Sequence, residues 1–475
     1  MFAEFLKAIA NRYRSRAKSF GYSDPQRERQ RTRNVSVARE SLRSKATESN
    51  RYTSSTMPIA LTPAQGEALS VATGPDSLVF ITGRAGTGKS TLIQQLRTME
   101  NVAVCAPTGI AALNCGGSTL HSTFKIPPRF LDPHHPNPKP VPGLDRLRAL
   151  VIDEGSMMRA DVLDHVNVTL QYNRNKSVPF GGVKVIVVGD CRQLPPVVTE
   201  EARAAVKARY RSSWWFDAQC LYRLPLRVVE LTQIHRQSDE ELIRLLDRVR
   251  NGAMDQMTVA RLNEQCYRGP VAREGALILT ARRKDADNLN RSKLDEIVGP
   301  ERSYEAVATG SFTNEADTTV PAPRRLELKV GARALVTKNH GSVVNGTLGT
   351  VTELHAKSVR FRPDGDAEDI TLSEMSWEQY RYELRDGRFV PEVTGTYRQL
   401  PLTYGWAITV HKAQGLTLDS VCVDLGTGAF ASGQTYVALS RARSIAGLTV
   451  RRPLNQSDFM ADMRVSEFHQ QYDLH

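Results

Sequence analysis

The chain has 475 residues, 40% of them apolar and 24% charged, which is room for two to four domains with buried cores and an ordinary balance for a soluble globular protein. No apolar run approaches the ~20 residues of a membrane-spanning helix, and the six scattered cysteines (Cys105, Cys115, Cys191, Cys220, Cys266 and Cys422) lack CxxC or metal-ligand spacing, which argues against a membrane partner, a disulfide scaffold and a zinc site. The net charge is +12, but +8 of it falls within residues 1–57, so a polyanionic partner has to be argued from motifs rather than from charge.

Residues 1–57 are rich in Arg, Ser and Gln, with Phe2, Phe5, Leu6 and Ile9 at helical spacing ahead of Arg12, Arg14, Arg16 and Lys18. Three readings stay open: a targeting helix of the mitochondrial kind, a flexible basic tail with non-specific affinity for DNA, or a segment upstream of a start at Met57.

From Leu61 the texture changes. Leu61-Thr-Pro-Ala-Gln65 precedes the first strand and offers in Gln65 an amide able to pair two ways with adenine. The apolar run 78–82 then leads into Gly83-Arg-Ala-Gly-Thr-Gly-Lys-Ser90 and Thr91, a match to GxxxxGK[ST] in strand, loop, helix context. Here Gly83, Arg84, Ala85, Gly86, Thr87 and Gly88 supply a loop whose N–H groups can fold around phosphates at a helix N-terminus. Lys89 adds a charge for the β and γ phosphates, and the Ser90 hydroxyl can bind Mg²⁺.

Further β-branched runs at 102–106, 149–152 and 183–188 read as buried parallel strands of an α/β sheet. Between the first two of these, residues 127–142 hold seven prolines, which excludes helix and central strand. Residues 149–152 end in Asp153 and Glu154, the first placed to hold Mg²⁺ and the second to orient and deprotonate the attacking water. After 183–188 comes Gly189-Asp-Cys-Arg-Gln-Leu-Pro-Pro196, where Gln193 can touch a γ-phosphate or serve only as part of a polar turn.

A second series of runs (228–231, 276–279, 334–337, 406–410 and 421–424) predicts a second parallel lobe. Its helices include residues 239–250, where Leu242, Leu245, Leu246 and Val249 line one face. Within this series, residues 345–400 alternate in short, turn-punctuated runs and predict a small antiparallel β insertion.

In this order the pieces resemble the Pif family of DNA helicases, in superfamily 1B beside the RecD and phage Dda helicases. The resemblance runs from about Leu61 to Val450. It is carried also by Ala106-Pro-Thr-Gly-Ile-Ala-Ala112, Ser118-Thr-Leu-His-Ser-Thr-Phe124, Leu231-Thr-Gln-Ile-His-Arg-Gln237, Thr409-Val-His-Lys-Ala-Gln-Gly-Leu-Thr417 and Tyr436-Val-Ala-Leu-Ser-Arg-Ala-Arg443. Residues 154–165 look like the segment that separates Pif-type helicases from their relatives. Two departures stand out: Gly155 where a branched apolar residue is usual, expected to loosen the turn after the carboxylates, and Cys191 where an aromatic is usual, expected to repack the loop that carries Gln193.

The resemblance implies two tandem RecA-like P-loop lobes: 58–225, with a wedge-like insertion at about 125–143, and 226–344 joined by 401–455. A small β-barrel at 345–400 and a C-terminal tail at 456–475 complete the division. It implies Arg236 and Arg441 as arginine fingers that meet the γ-phosphate as the lobes close, with Arg443 a surface ion pair. It implies an ATP-dependent DNA helicase moving 5′ to 3′ on single-stranded DNA, opening DNA with a 5′ single-stranded tail, with Mg²⁺ beside ATP, acting as an intracellular monomer in replication, repair, recombination or telomere maintenance. The grip on DNA is expected from Thr108, His121, His411 and Lys412, touching phosphates rather than bases. His121 reads equally as a satisfied buried histidine, the Pro-rich excursion as either a strand-splitting pin or a passive loop, and His134 and His135 as loop surface. Two other functions remain in view: a RecD- or Dda-like recombination or phage replication helicase, and a nucleotide-dependent DNA clamp that does not unwind.

Overall fold

The computed structural model describes residues 61–474 apart from 223, 235, 236, 238 and 315–319. The three readings of residues 1–57, and the assignment of Arg236, lie outside the described residues.

Helix α1 (Pro63–Thr73) begins under a capping box in which Thr62 and Gln65 exchange side chain and backbone hydrogen bonds, with proline in its first turn. It leads into a six-stranded parallel sheet ordered β3-β2-β4-β5-β1-β6, made of β1 (Leu78–Gly83), β2 (Val102–Ala106), β3 (Ser118–Thr119), β4 (Ala149–Ile152), β5 (Lys184–Val188) and β6 (Arg227–Leu231). Helices α2 (Lys89–Arg97), α3 (Gly109–Cys115), α4 (Leu120–Thr123), α5 (Ala160–Arg174) and α6 (Glu200–Arg209) alternate with these strands. Strand periodicity divides the core. Leu78 and Phe80 face Leu163, Val166 and Leu170 of α5, whereas Val79 and Ile81 face Leu92, Ile93 and Leu96 of α2. With both faces covered, β1 reads as one continuous apolar run.

The chain then passes through α7 (Glu240–Arg250), α8 (Gln256–Cys266), β7 (Leu277–Thr280) and α9 (Arg283–Asp295). Asp239 caps α7, and the four expected residues Leu242, Leu245, Leu246 and Val249 are buried along it. Next come β8 (Arg302–Glu305), β9 (Val307–Ala308), β10 (Arg325–Leu328), β11 (Arg333–Val336), β12 (Leu348–Leu354), β13 (Ser358–Pro363), β14 (Ile370–Ser373), β15 (Met375–Arg385), β16 (Arg388–Gln399) and β17 (Leu402–Tyr404), paired antiparallel throughout. The chain returns through β18 (Ala407–Thr409), β19 (Val421–Asp424), α10 (Gln434–Leu439) and β20 (Leu448–Val450), which with β7 form a second parallel sheet ordered β18-β7-β19-β20. The fold is therefore two parallel α/β lobes with an antiparallel insertion in the second.

Three expectations are corrected. Residues 228–231 do not open the second sheet: β6 lies beside β1, with Val79 opposite Arg227. Residues 334–337 do not belong to it either, since β11 pairs antiparallel with β12 and β17, so antiparallel pairing runs from Arg302 to Tyr404 rather than from 345 to 400. In both cases a short β-branched or apolar run looks alike in whichever sheet it sits, whether half-buried at an edge as in β6 or buried as in β11. The segment 456–475 is not a free tail. It forms α11 (Met463–Gln471), whose Phe468 stacks on Phe216 of the first lobe at 4.2 Å between ring centroids, while Arg464 pairs with Asp217 at 2.7 Å.

The Pro-rich excursion is an ordered loop braced on α5. The Leu131 N–H donates to Asp161 (3.0 Å) and the Val141 N–H to Asn173 (2.7 Å), with Leu131 and Val141 both buried.

Candidate active site

The phosphate loop joins β1 to α2, and its glycines are structural requirements. Gly88 caps α2 in the left-handed region (φ 85°), and a Cβ on Gly83 (φ 149°) would come within 2.5 Å of the Leu231 carbonyl on the neighbouring strand. The Thr87 hydroxyl closes the loop onto the Arg84 carbonyl (3.0 Å), and Thr91 N–H bonds the Gly88 carbonyl (3.0 Å). Lys89 Nζ is folded inward and donates to the carbonyls of Gly83 (2.6 Å) and Arg84 (2.9 Å). Gln65 lies buried against this loop. Its carbonyl accepts from Thr62 N–H (3.0 Å) and its amide reaches the Thr87 carbonyl at 3.5 Å, so both ends of the side chain are engaged within the protein.

Asp153 and Glu154 follow β4, Glu154 in a left-handed conformation (φ 49°) that turns its carboxylate into the cleft. Burial raises the pKa of both; Glu154, further lifted by the charge of Asp153, reaches about 7. Burial lowers Lys89, against the opposing pull of Asp190 and Glu154. Two half-buried carboxylates of raised pKa at the end of β4, with the Ser90 hydroxyl lining the same cleft as Glu154, are a donor set that suits a divalent cation, whose charge would relieve their repulsion. Among the described residues no group of three or more His, Cys, Asp or Glu side chains could hold a metal, so a cation here would take ligands also from phosphate and water.

The second lobe completes the site. A cleft of about 660 Å³ is lined by residues 85–90, Glu154 and Gln193 from the first lobe and by Gly415, Thr417, Arg441 and Arg443 from the second. The Gln414 amide donates to the Glu154 carboxylate, and the buried Tyr436 hydroxyl lies near the Ala85 N–H of the phosphate loop. Arg441 is buried, its guanidinium held by the carbonyls of Val437 (2.9 Å) and Leu416 (3.2 Å) and the Ser440 hydroxyl (2.7 Å), close enough to Glu154 to favour its charged form. Gln237 ties its own segment to this turn through the carbonyls of Ser440 (2.9 Å) and Ala442 (3.1 Å). Arg443 pairs with Asp419 at 3.2 Å, as a surface arginine does, while also lining the cleft.

Sequence reasoning missed several members of this site. Asp190, buried after β5, bonds the Gln193 amide (3.2 Å) and meets the fully buried Arg250 of α7 (3.2 Å). Burial alone would raise Asp190, but Arg250 and Lys89 outweigh it and leave it below the usual carboxylate range. Arg84 of the phosphate loop pairs with Asp247 of α7 at 2.7 Å. An arginine inside a strongly amphipathic helix was the one available signal for Arg250; nothing local named its partner.

The DNA-facing candidates lie elsewhere; none of them lines the cleft. Thr108 caps α3, its hydroxyl accepting from Ala111 N–H (3.3 Å). His121, in α4, is half-buried with its pKa lowered by burial and by the neighbouring Arg159. His411 is half-buried and lowered likewise by burial, and Lys412 is exposed, both in the turn after β18. His134 and His135 are exposed, His135 beside Asp132 at 3.2 Å. The first departure packs tightly rather than loosely. Gly155 lies against β5, where a Cβ would meet Val187 at 2.3 Å, and Cys191 is buried in the same apolar core as Trp215.

A family model described as PIF1-like helicase matches residues 67–260. The ATP-dependent DNA helicase PIF1 of Danio rerio is 34% identical over 391 residues, which cover 78% of this chain. The chain spans only 58% of that relative's length. The ATP-dependent DNA helicase Pif1 of Bdellovibrio bacteriovorus is 31% identical over 428 residues, 87% of this chain and 93% of the relative. Among solved structures, Pif1 from Bacteroides sp in complex with ADP-AlF4 superposes with a TM-score of 0.80 at 33% identity, covering 87% of this chain and 97% of that one.

Proposed function

Since this chain belongs to the PIF1-like helicase family, we propose that it is an ATP-dependent DNA helicase that travels 5′ to 3′ on single-stranded DNA and separates the duplex ahead. The observation that carries this reading is the cleft itself, in which Lys89 and Glu154 of one lobe and Arg441 of the other line the same space. Hydrolysis built on such an arrangement is tied to lobe closure, because the second lobe's charge stabilises the transferring phosphoryl group only when it is near.

In this reading the loop from Gly83 to Ser90, with Thr91, cradles the triphosphate, and Lys89 turns from the loop carbonyls to the β and γ phosphates. Adenine pairing by Gln65 requires its amide to exchange the contacts it makes with Thr62 and Thr87. Ser90 and Asp153 would hold Mg²⁺, which supplies charge neutralisation between the phosphates. Glu154 takes a proton from the attacking water, Gln193 senses the γ-phosphate, and Arg441 together with Arg236 meets the developing charge. Thr108, His121, His411 and Lys412 take the strand's phosphates, which gives a grip without sequence preference. Alternation of that grip with nucleotide state is enough for directed movement.

The test is strand separation on duplexes with a 5′ or a 3′ single-stranded tail, beside a Lys89→Ala control. The expected result is unwinding of the 5′-tailed substrate only, ATP hydrolysis stimulated by single-stranded DNA, and an inactive control. Equal activity on both tails would remove the polarity. Stimulated hydrolysis without strand separation would favour a clamp, and no stimulation by any nucleic acid would sink the motor reading altogether.

A further inference from the structure

The last turn of α7 carries two charges three residues apart, Asp247 and Arg250, which therefore project from one side of the helix. Both reach out of the second lobe into the nucleotide lobe, and each meets a charge of opposite sign. Asp247 pairs with Arg84 in the phosphate loop (2.7 Å), and Arg250 with Asp190 after β5 (3.2 Å). The second pair is fully enclosed, whereas the first is partly open to solvent.

Asp190 is the more consequential partner. One of its oxygens takes Arg250 and the Arg192 N–H (3.1 Å), and the other takes the Gln193 amide (3.2 Å). Arg192 reaches back to the Arg250 carbonyl at 3.0 Å, which fixes the end of α7 against this loop. Lys89 also feels Asp190, more strongly than it feels any other neighbouring charge. Arg250 thus holds this buried carboxylate directly, while Lys89 and Arg192 are drawn to it at longer range. If Arg250 withdraws with its lobe, Asp190 keeps the Arg192 N–H and the Gln193 amide but loses its ion pair with Arg250, and its pull on Lys89 grows, because a buried charge without a counter-charge is costly.

Resting on the motor reading above, we propose that the last turn of α7 is the positioning element by which the second lobe switches the triphosphate cradle: Arg250 frees Lys89 for phosphate by occupying Asp190, and Asp247 sets the loop through Arg84. Neither residue touches the reacting atoms. With α7 seated, Asp190 is satisfied and Lys89 rests on the neutral carbonyls of Gly83 and Arg84, which it can exchange for phosphate. With α7 displaced, Lys89 is drawn to the carboxylate that Gln193 already bonds, and nucleotide affinity falls. Linkage requires that whatever moves α7, bound DNA included, changes nucleotide affinity by the same factor that nucleotide changes DNA affinity.

The experiment uses the full chain and measures three quantities: the KM for ATP, the stimulation of hydrolysis by a single-stranded oligonucleotide, and the ratio of that oligonucleotide's affinities with and without a non-hydrolysable ATP analogue. Arg250→Gln should raise the KM about tenfold and bring the affinity ratio toward one, while Arg250→Lys should recover part of both. The distinguishing variant is Asp190→Asn added to Arg250→Gln. It removes the carboxylate that captures Lys89, so the KM should return to within about threefold of the starting protein while the affinity ratio stays near one. A merely structural role predicts no such repair. Asp247→Asn, at a half-exposed site where folding is not at risk, should lower the ratio by about threefold or more.

An unchanged ratio in Asp247→Asn, an unchanged KM in Arg250→Gln, or failure of Asp190→Asn to restore the KM would each overturn the proposal while leaving the motor reading intact. If Arg250→Gln does not fold, Asp247→Asn and Arg250→Lys decide. Absence of DNA-stimulated hydrolysis in the unmodified protein would sink the motor reading, and this inference with it.

Discussion

Gln414 donates a hydrogen bond of 2.9 Å to the carboxylate of Glu154, a residue 260 positions earlier in the chain and on the opposite lobe. The contact puts a second-lobe amide on the group proposed to activate water. Gln414→Ala is therefore expected to lower DNA-stimulated turnover by about tenfold, ~1.4 kcal/mol, with nucleotide affinity little changed. Steady-state kinetics set beside direct nucleotide titration checks this; unaltered turnover would mean that the amide only accompanies the carboxylate.

Arg441 has two roles to separate. Its guanidinium satisfies two carbonyls and a hydroxyl inside the second lobe while its charge reaches Glu154. Arg441→Ala should keep nucleotide affinity within about tenfold and lower turnover by about 10³. It should also lower the melting temperature, because the buried acceptors lose their donor at a cost of ~1–3 kcal/mol. Thermal unfolding beside single-turnover hydrolysis distinguishes the two. A large loss of stability with normal turnover would make the residue a scaffold and nothing more.

Gly155→Ala should destabilise the first lobe by ~1–3 kcal/mol, since the added methyl would lie 2.3 Å from a Val187 methyl in a packed core. The relief should come from Val187→Ala in the same chain. Denaturant titration of the two single variants and the double one tests the pairing, and additive losses would count against it.

His469 is buried, and its Nδ1 accepts from Arg192 Nε at 3.3 Å. Burial, reinforced by the charges of Arg192 and Arg250, brings its pKa from the ordinary 6.5 down to about 3. The folded chain thus keeps this ring neutral, whereas the unfolded chain protonates it below about 6.5. Its contribution to stability is full above that value and drains as pH falls toward 3. His469→Gln should flatten the acid side of a plot of melting temperature against pH; an unchanged acid limb would contradict the assignment.

Phe468→Ala should cost ~3–5 kcal/mol, because the ring stacks on Phe216 and edges onto Trp215 inside the first lobe's core. Calorimetry reads this directly. A loss under 1 kcal/mol would mean that α11 contributes little to that core.

The parts of the site that the sequence disclosed are those whose geometry is local. The loop from Gly83 to Ser90, the carboxylates after β4 and Gln193 after β5 each sit at the end of one strand, so a run of apolar residues followed by the right polar ones is a nearly complete description. Arg250, Asp190, Asp247 and Gln414 escaped because each acquires its meaning from a partner far along the chain, as Arg250 does from a carboxylate 60 positions away. The misplaced strands have a similar cause. Ala334, Leu335 and Val336 are buried in an antiparallel sheet and would look no different in a parallel one. In α11 the spacing of Val465 and Phe468 is the amphipathic signal, too short to tell a docked helix from a solvated tail.

With β6 in the first sheet and α11 packed on the first lobe's core, the backbone crosses from one lobe to the other and later crosses back. A body hung from two cords can swing about the line joining them but cannot readily twist or wander. In the motor proposed above, such wiring would favour a hinge-like swing over twisting, and cutting either cord is expected to leave ATP hydrolysis in place while uncoupling it from movement.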